Sequence, residues 1–109
     1  MGAHILVNFY DADPNQLNDI QSLKQILTKA ALKAEMKILN ETFHKFSPQG
    51  VTGILLLAES HISIHTWPEK KSAAADIFCC AGIERAEKAA DELIALIKAE
   101  RTQKRIVHR

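Results

Sequence analysis

One stretch constrains this chain more than any other: Gly53–Glu69, which reads GILLLAESHISIHTWPE. Ile54 to Ala58 is a continuous apolar run. After the dipeptide Glu59–Ser60 the pattern alternates, with His61, Ser63 and His65 on one parity and Ile62 and Ile64 on the other. Period-two alternation belongs to a half-buried strand. Two such runs meeting at a polar dipeptide predict strands over about 51–58 and 61–66. The connection between them is tight, with Ser60 exposed at its apex.

The rest of the chain falls into place around this hairpin. His4–Tyr10 is apolar, β-branched and aromatic and reads as a first strand. Asp13 caps a helix whose first position is Pro14, where a missing N–H costs nothing. Leu17, Ile20, Leu23, Leu27, Ala31 and Ala34 recur at helical spacing and predict a helix over 14–35. Met36–Phe46 predicts a second strand, ended by the breaker cluster Ser47-Pro48-Gln49-Gly50. Trp67–Ser72 is polar and contains Pro68, so it reads as a loop. Ala73–Cys80 is a further strand, broken at Gly82. Ala86, Ala89, Ala90, Leu93 and Ile97 form the apolar stripe of an amphipathic helix over 83–101, and Arg105–Val107 reads as a short last strand.

Helices bracketing runs of strands point to an α+β fold, a two-layer α/β sandwich with a mostly antiparallel sheet. The 109 residues carry no linker or repeat, which fits a single domain spanning 1–109. Hydrophobic residues make up 47% and charged residues 25%, and the formal net charge is +1, so neither a nucleic-acid nor a membrane partner is indicated. The basic residues Arg101, Lys104, Arg105 and Arg109 read as a solvated edge. No apolar run approaches the roughly 20 residues that span a bilayer. No basic region leads into an apolar stretch at the N-terminus, and the two cysteines, Cys79 and Cys80, are adjacent. Both features fit a reduced thiol in a cytoplasmic protein. No CxxC, HExxH or glycine-rich phosphate loop occurs, so no metal site is indicated.

The string Ala58–Glu69 (AESHISIHTWPE), followed by Ala75–Cys80 (ADIFCC), closely resembles the prokaryotic S-adenosylmethionine decarboxylase proenzymes. Phe43-His44-Lys45-Phe46 through Gly50-Val51-Thr52-Gly53 resembles the segment just upstream in that family. The resemblance implies that the bond between Glu59 and Ser60 cleaves itself, giving pieces 1–59 and 60–109. It implies that Ser60 becomes a pyruvoyl group, the cofactor that condenses with the substrate's amine. It also implies a homodimer that stacks two sheets into an α-β-β-α sandwich.

Each step of that chemistry asks for a residue type. The Ser60 hydroxyl attacks the Glu59 carbonyl and turns an amide into an ester. A base removes the α-proton of residue 60 and the ester is eliminated, leaving dehydroalanine, which hydrolyses to pyruvoyl and ammonia. A neutral imidazole suits the base, and His65 matches the family's processing histidine. Thr52 stands where many relatives have a serine that assists processing. Cys80 matches the cysteine that returns a proton after carbon dioxide leaves. Cys79 stands where relatives usually have threonine, and strand alternation turns it to the opposite face. Phe46 matches the residue that stacks on adenine, and Glu69 the one that bonds the ribose hydroxyls.

The chain departs from the family after Trp67-Pro68-Glu69. Lys70-Lys71-Ser72 replaces the usual Tyr-Gly-Tyr, so two aromatic rings give way to two cations. The leading expectation is an S-adenosylmethionine decarboxylase that supplies spermidine synthesis. A decarboxylase of the same fold acting on ornithine or arginine is one alternative. An inactive paralogue that regulates an active partner is the other, with intact Ser60, His65 and Cys80 speaking against it.

Overall fold

The structure, a computed structural model, describes residues 2–80 and 82–109. Its elements run β1 (Ala3–Tyr10), α1 (Pro14–Leu17), α2 (Ile20–Lys33), β2 (Ile38–Lys45), β3 (Val51–Leu57), β4 (Ser60–Trp67), a 3-10 turn (Pro68–Lys70), β5 (Ser72–Cys79), α3 (Ile83–Ile97) and β6 (Arg101–His108). The six strands form one sheet in the order β2-β3-β4-β5-β1-β6. Every neighbouring pair is antiparallel, which realises the expected α+β sandwich.

Alternation decides what the sheet buries. One face presents Ile5, Val7 and Phe9 of β1, Leu55 and Leu57 of β3, Ile62 and Ile64 of β4, and Ile77 of β5, all buried. The apolar stripes of α2 and α3 cover this face, with Leu23, Leu27, Ala89 and Leu93 fully enclosed, and the two layers share one core. Among the described residues no helix covers the opposite face. It carries Ile54 and Leu56, 40% and 51% exposed, together with the imidazoles of His4, His61 and His65.

Several expectations need correction. The helix expected over 14–35 is two: Asn18 and Asp19 interrupt it, and the Asp19 side chain caps α2 by accepting from Gln21 N–H. Asn18 is used elsewhere, its Oδ1 accepting from Gly50 N–H at 2.9 Å. Gly50 has φ of +104°, a conformation suited to glycine, so the breaker cluster ends where backbone geometry demands it. The helix expected to reach Arg101 stops at Ile97, with Lys98 in the left-handed region. The freed residues join a last strand far longer than Arg105–Val107, with Arg101–His108 paired along the whole of β1. The basic residues Arg101, Lys104 and Arg105 thus lie on an edge strand, every residue of which is exposed.

Two contacts tighten the hairpin region. Gly53 pairs with Phe43 across β3 and β2, and a Cβ at 53 would run into the Phe43 ring. Glycine is needed there for the ring to lie over the neighbouring strand. Thr66 is 1% exposed. Its hydroxyl donates to the Leu17 carbonyl at 2.7 Å and accepts from Val51 N–H at 2.9 Å, tying β4 to both α1 and β3.

Candidate active site

The turn that organised the sequence keeps its two-residue length but lies one residue earlier than the pattern suggested. Leu57 pairs directly with Ser60, leaving only Ala58 and Glu59 between β3 and β4. Ser60 is therefore not exposed at an apex. It is the first residue of β4, half-buried, flanked by Leu57 on one side and Cys79 on the other. Glu59 takes the strained position, with φ of +63°. A left-handed conformation at a non-glycine residue costs roughly 1–2 kcal/mol.

Cys80 follows the last residue of β5 and lies beside the turn. Its N–H donates to the Glu59 carbonyl at 3.4 Å. That oxygen belongs to the peptide bond between Glu59 and Ser60. The alternation separates the two cysteines as expected: Cys79 is buried against the helices and Cys80 is exposed. One end of β4 therefore gathers Glu59, Ser60 and Cys80. The next rung carries His61, Phe78 and His4, their rings 5.7 to 6.2 Å apart.

A second cluster sits at the other end of the same strand. Thr52 and His65 are directly opposed on β3 and β4, and Thr52 Oγ1 shares a hydrogen bond of 2.6 Å with His65 Nδ1. With Nδ1 engaged, Nε2 is the nitrogen left to exchange a proton. Phe46 lies just beyond β2, where its N–H donates to the Gly50 carbonyl at 2.7 Å. The Phe46 ring is 6.0 Å from that of His65 and 4.7 Å from that of His44. Trp67 lies 4.4 Å from His65. Glu69 is exposed in the 3-10 turn that follows, beside the exposed Lys70 and Lys71.

The fold thus brings the seven candidate residues into two groups. Ser60 and His65 stand five residues apart on one strand, about 16 Å at the rise of extended chain. They also fall on opposite parities, Ser60 with Ile62 and Ile64, His65 with His61 and Ser63. Within one chain His65 does not reach the Ser60 backbone. The sequence reading also left His44 and Trp67 without a place beside His65. For Trp67 the signal was available, since it lies two residues from His65; His44 is placed there only by its pairing with Thr52 across β2 and β3.

Comparison with known proteins gives one consistent answer. The family model described as S-adenosylmethionine decarboxylase matches residues 3–109. A relative named S-adenosylmethionine decarboxylase proenzyme, from Sulfurihydrogenibium sp. (strain YO3AOP1), is 40% identical over 109 residues, all of this chain and 82% of that protein. Another of the same name, from Synechococcus sp. (strain WH7803), is 48% identical over 99 residues, 91% of this chain and 77% of the relative. The crystal structure of the adenosylmethionine decarboxylase from Aquifex aeolicus VF5 superposes with a TM-score of 0.94 at 33% identity, covering 100% of this chain and 90% of that one. The family match therefore extends over both β4 clusters and the sheet that carries them, and the chain belongs to the S-adenosylmethionine decarboxylase family.

Proposed function

We propose that this chain is a self-processing, pyruvoyl-dependent S-adenosylmethionine decarboxylase, a carboxy-lyase supplying decarboxylated S-adenosylmethionine for spermidine synthesis. The observation that carries this reading is the hydrogen bond from Cys80 N–H to the Glu59 carbonyl, in a chain that matches the family from residue 3 to its end. That bond polarises the carbonyl the Ser60 hydroxyl must attack. It also offers a donor to the negative charge that develops on the oxygen. The left-handed Glu59 adds strain that cleavage relieves. Ornithine, arginine and an inactive regulatory role have no observation in their favour.

Ser60 fits the group it would become. It opens a strand paired on both sides by β3 and β5, so the new end at residue 60 stays anchored after Glu59 departs. When formed, the pyruvoyl group supplies an electrophilic carbonyl that takes up the electron pair left as carbon dioxide departs. The chain's own residues do the rest. Cys80, exposed at the same turn, holds the proton that is returned to the substrate carbon. A thiol suits that role, and a reducing cytoplasm keeps it available.

The base must come from a second copy. His65 is about 16 Å from Ser60 in its own chain by the rise of a strand. Two copies stacked open face to open face, related by a two-fold axis crossing β4 near its middle, would set the Thr52–His65 cluster of one over the Ser60 turn of the other. The same homodimer would bury Ile54 and Leu56, and it would form the α-β-β-α sandwich. Phe46 and Glu69, at the His65 end, would then face the neighbour's residue 60. There Phe46 stacks on the adenine of the small-molecule substrate and Glu69 accepts from its ribose hydroxyls. Lys70 and Lys71 project beside this end, their long stems able to carry the ammonium groups into solvent.

The test takes the purified protein. Intact-mass spectrometry should show pieces 1–59 and 60–109, the second without a free amino terminus. Carbon dioxide should be released from S-adenosylmethionine and not from ornithine or arginine. A stable single chain, or release from either amino acid instead, would overturn the proposal.

A further inference from the structure

Trp67 is the chain's one tryptophan, and the structure leaves it 37% exposed on the uncovered face of the sheet. Trp67 follows His65 by two residues on β4, so the two rings stand side by side on the same face. Their centroids are 4.4 Å apart and their planes meet at 66°, an edge-to-face contact. Phe46 lies 6.0 Å from the imidazole, and the Thr52 hydroxyl holds Nδ1 at 2.6 Å.

The backbone that carries Trp67 is held on both sides. Thr66 before it is buried and hydrogen-bonded to Leu17 and Val51. Pro68 after it is buried at the start of the 3-10 turn. The indole therefore projects from an anchored stretch of backbone, beside an imidazole that turns about two side-chain bonds and carries one hydrogen bond. The hydroxyl fixes where Nδ1 sits but leaves the ring free to swing about that contact. The indole edge packed against the ring limits that swing.

We infer that Trp67 is a positioning residue for His65: its indole holds the imidazole in the orientation from which Nε2 takes the α-proton of residue 60 in a second copy of the chain. This rests on the reading of His65 as the processing base. A base misplaced by about 1 Å loses a large part of its effect, so a contact that limits the ring's orientation becomes rate. An edge-to-face aromatic pair accounts for roughly a 2- to 10-fold effect. Outright loss of the base is worth about 10² to 10⁴.

The experiment follows the ester formed at Ser60, which hydroxylamine cleaves, in four full-length variants checked for the same assembly state by sedimentation. Trp67→Leu keeps an apolar side chain but removes the aromatic edge, and it should accumulate ester and process roughly 2- to 10-fold more slowly. Trp67→Phe restores an edge and should process close to the parent rate. His65→Ala should stall at the ester, and Trp67→Leu added to it should slow nothing further, because the indole acts only through the imidazole. Parent-rate processing by Trp67→Leu overturns the inference while leaving His65 as the base. The same is true if the tryptophan substitution has an undiminished effect in the His65→Ala background. Parent-rate processing by His65→Ala removes the base assignment itself, and the inference with it.

Discussion

Ser60 and His65 share β4 but stand at its two ends, on opposite parities, with about 16 Å of extended chain between them. On the proposed reading, with Ser60 as nucleophile and His65 as base, one chain cannot use the two on each other, and assembly becomes part of the proposed chemistry.

The first prediction follows directly. Ser60→Ala and His65→Ala should each fail to complete processing alone. Co-expressed, they should form mixed dimers in which the Ser60→Ala copy lends its intact His65 to the other copy's intact Ser60. Mass spectrometry should then show pieces 1–59 and 60–109 from the His65→Ala chain only. If no cleavage appears in a mixed dimer shown to have formed, the base is not shared in this way.

The open face should control both assembly and processing. Leu56 is 51% exposed and Ile54 40% exposed on the side that no helix covers. Leu56→Lys should leave the helix-covered core intact, because its side chain faces away from it. It should shift sedimentation toward a monomer at micromolar concentration and stall processing. A folded, dimeric and fully processed variant would place the partner contact elsewhere.

The two adjacent cysteines should separate chemistry from packing. Cys80→Ala keeps its backbone N–H on the Glu59 carbonyl and should therefore still cleave at Ser60. It should lose decarboxylation by about 10² to 10⁴, the usual worth of a positioned acid. Cys79→Ala removes a sulfur that is 1% exposed among core residues. It should lower stability by about 1 kcal/mol, within the common range for point changes, and leave turnover near that of the parent. Turnover lost in Cys79→Ala and kept in Cys80→Ala would reverse the assignment.

Thr66→Val probes the anchor beneath the site. The change is nearly isosteric, but it leaves Val51 N–H without its acceptor and the Leu17 carbonyl without its donor, both in a buried setting. One buried group left unsatisfied costs about 1–3 kcal/mol. Urea denaturation should show a loss of that size with an unchanged slope. A variant as stable as the parent would mean that other groups satisfy both partners.

Much of this molecule was legible in the chain. Alternation along His61–His65 and the unbroken run Ile54–Ala58 mark two strands because side chains on a strand alternate between faces, whatever surrounds them. The same rule sends Cys79 and Cys80 to opposite sides, and the structure does so. Asp13 before Pro14 announces a helix start through hydrogen bonding within a few residues, and the Asp13 carboxylate accepts from Asn15 N–H. These features rest on local geometry, which neighbouring residues determine.

What the chain did not reveal depends on partners far along it. Helix α2 begins afresh at Ile20 because Asn18 gives its side chain to Gly50, 32 residues away. Strand β6 extends back to Arg101 because β1 lies beside it to complete its hydrogen bonds; Arg101–Lys104 has no apolar alternation to announce a strand. The pairing of Leu57 with Ser60 and of Ser60 with Cys79 places Ser60 inside the sheet margin. The motif named Ser60, His65 and Cys80 by residue type. Only the tertiary structure decided that Cys80 stays with Ser60 while His65 does not, because five residues mean about 16 Å on a strand, whereas β-pairing brings residues 20 apart side by side.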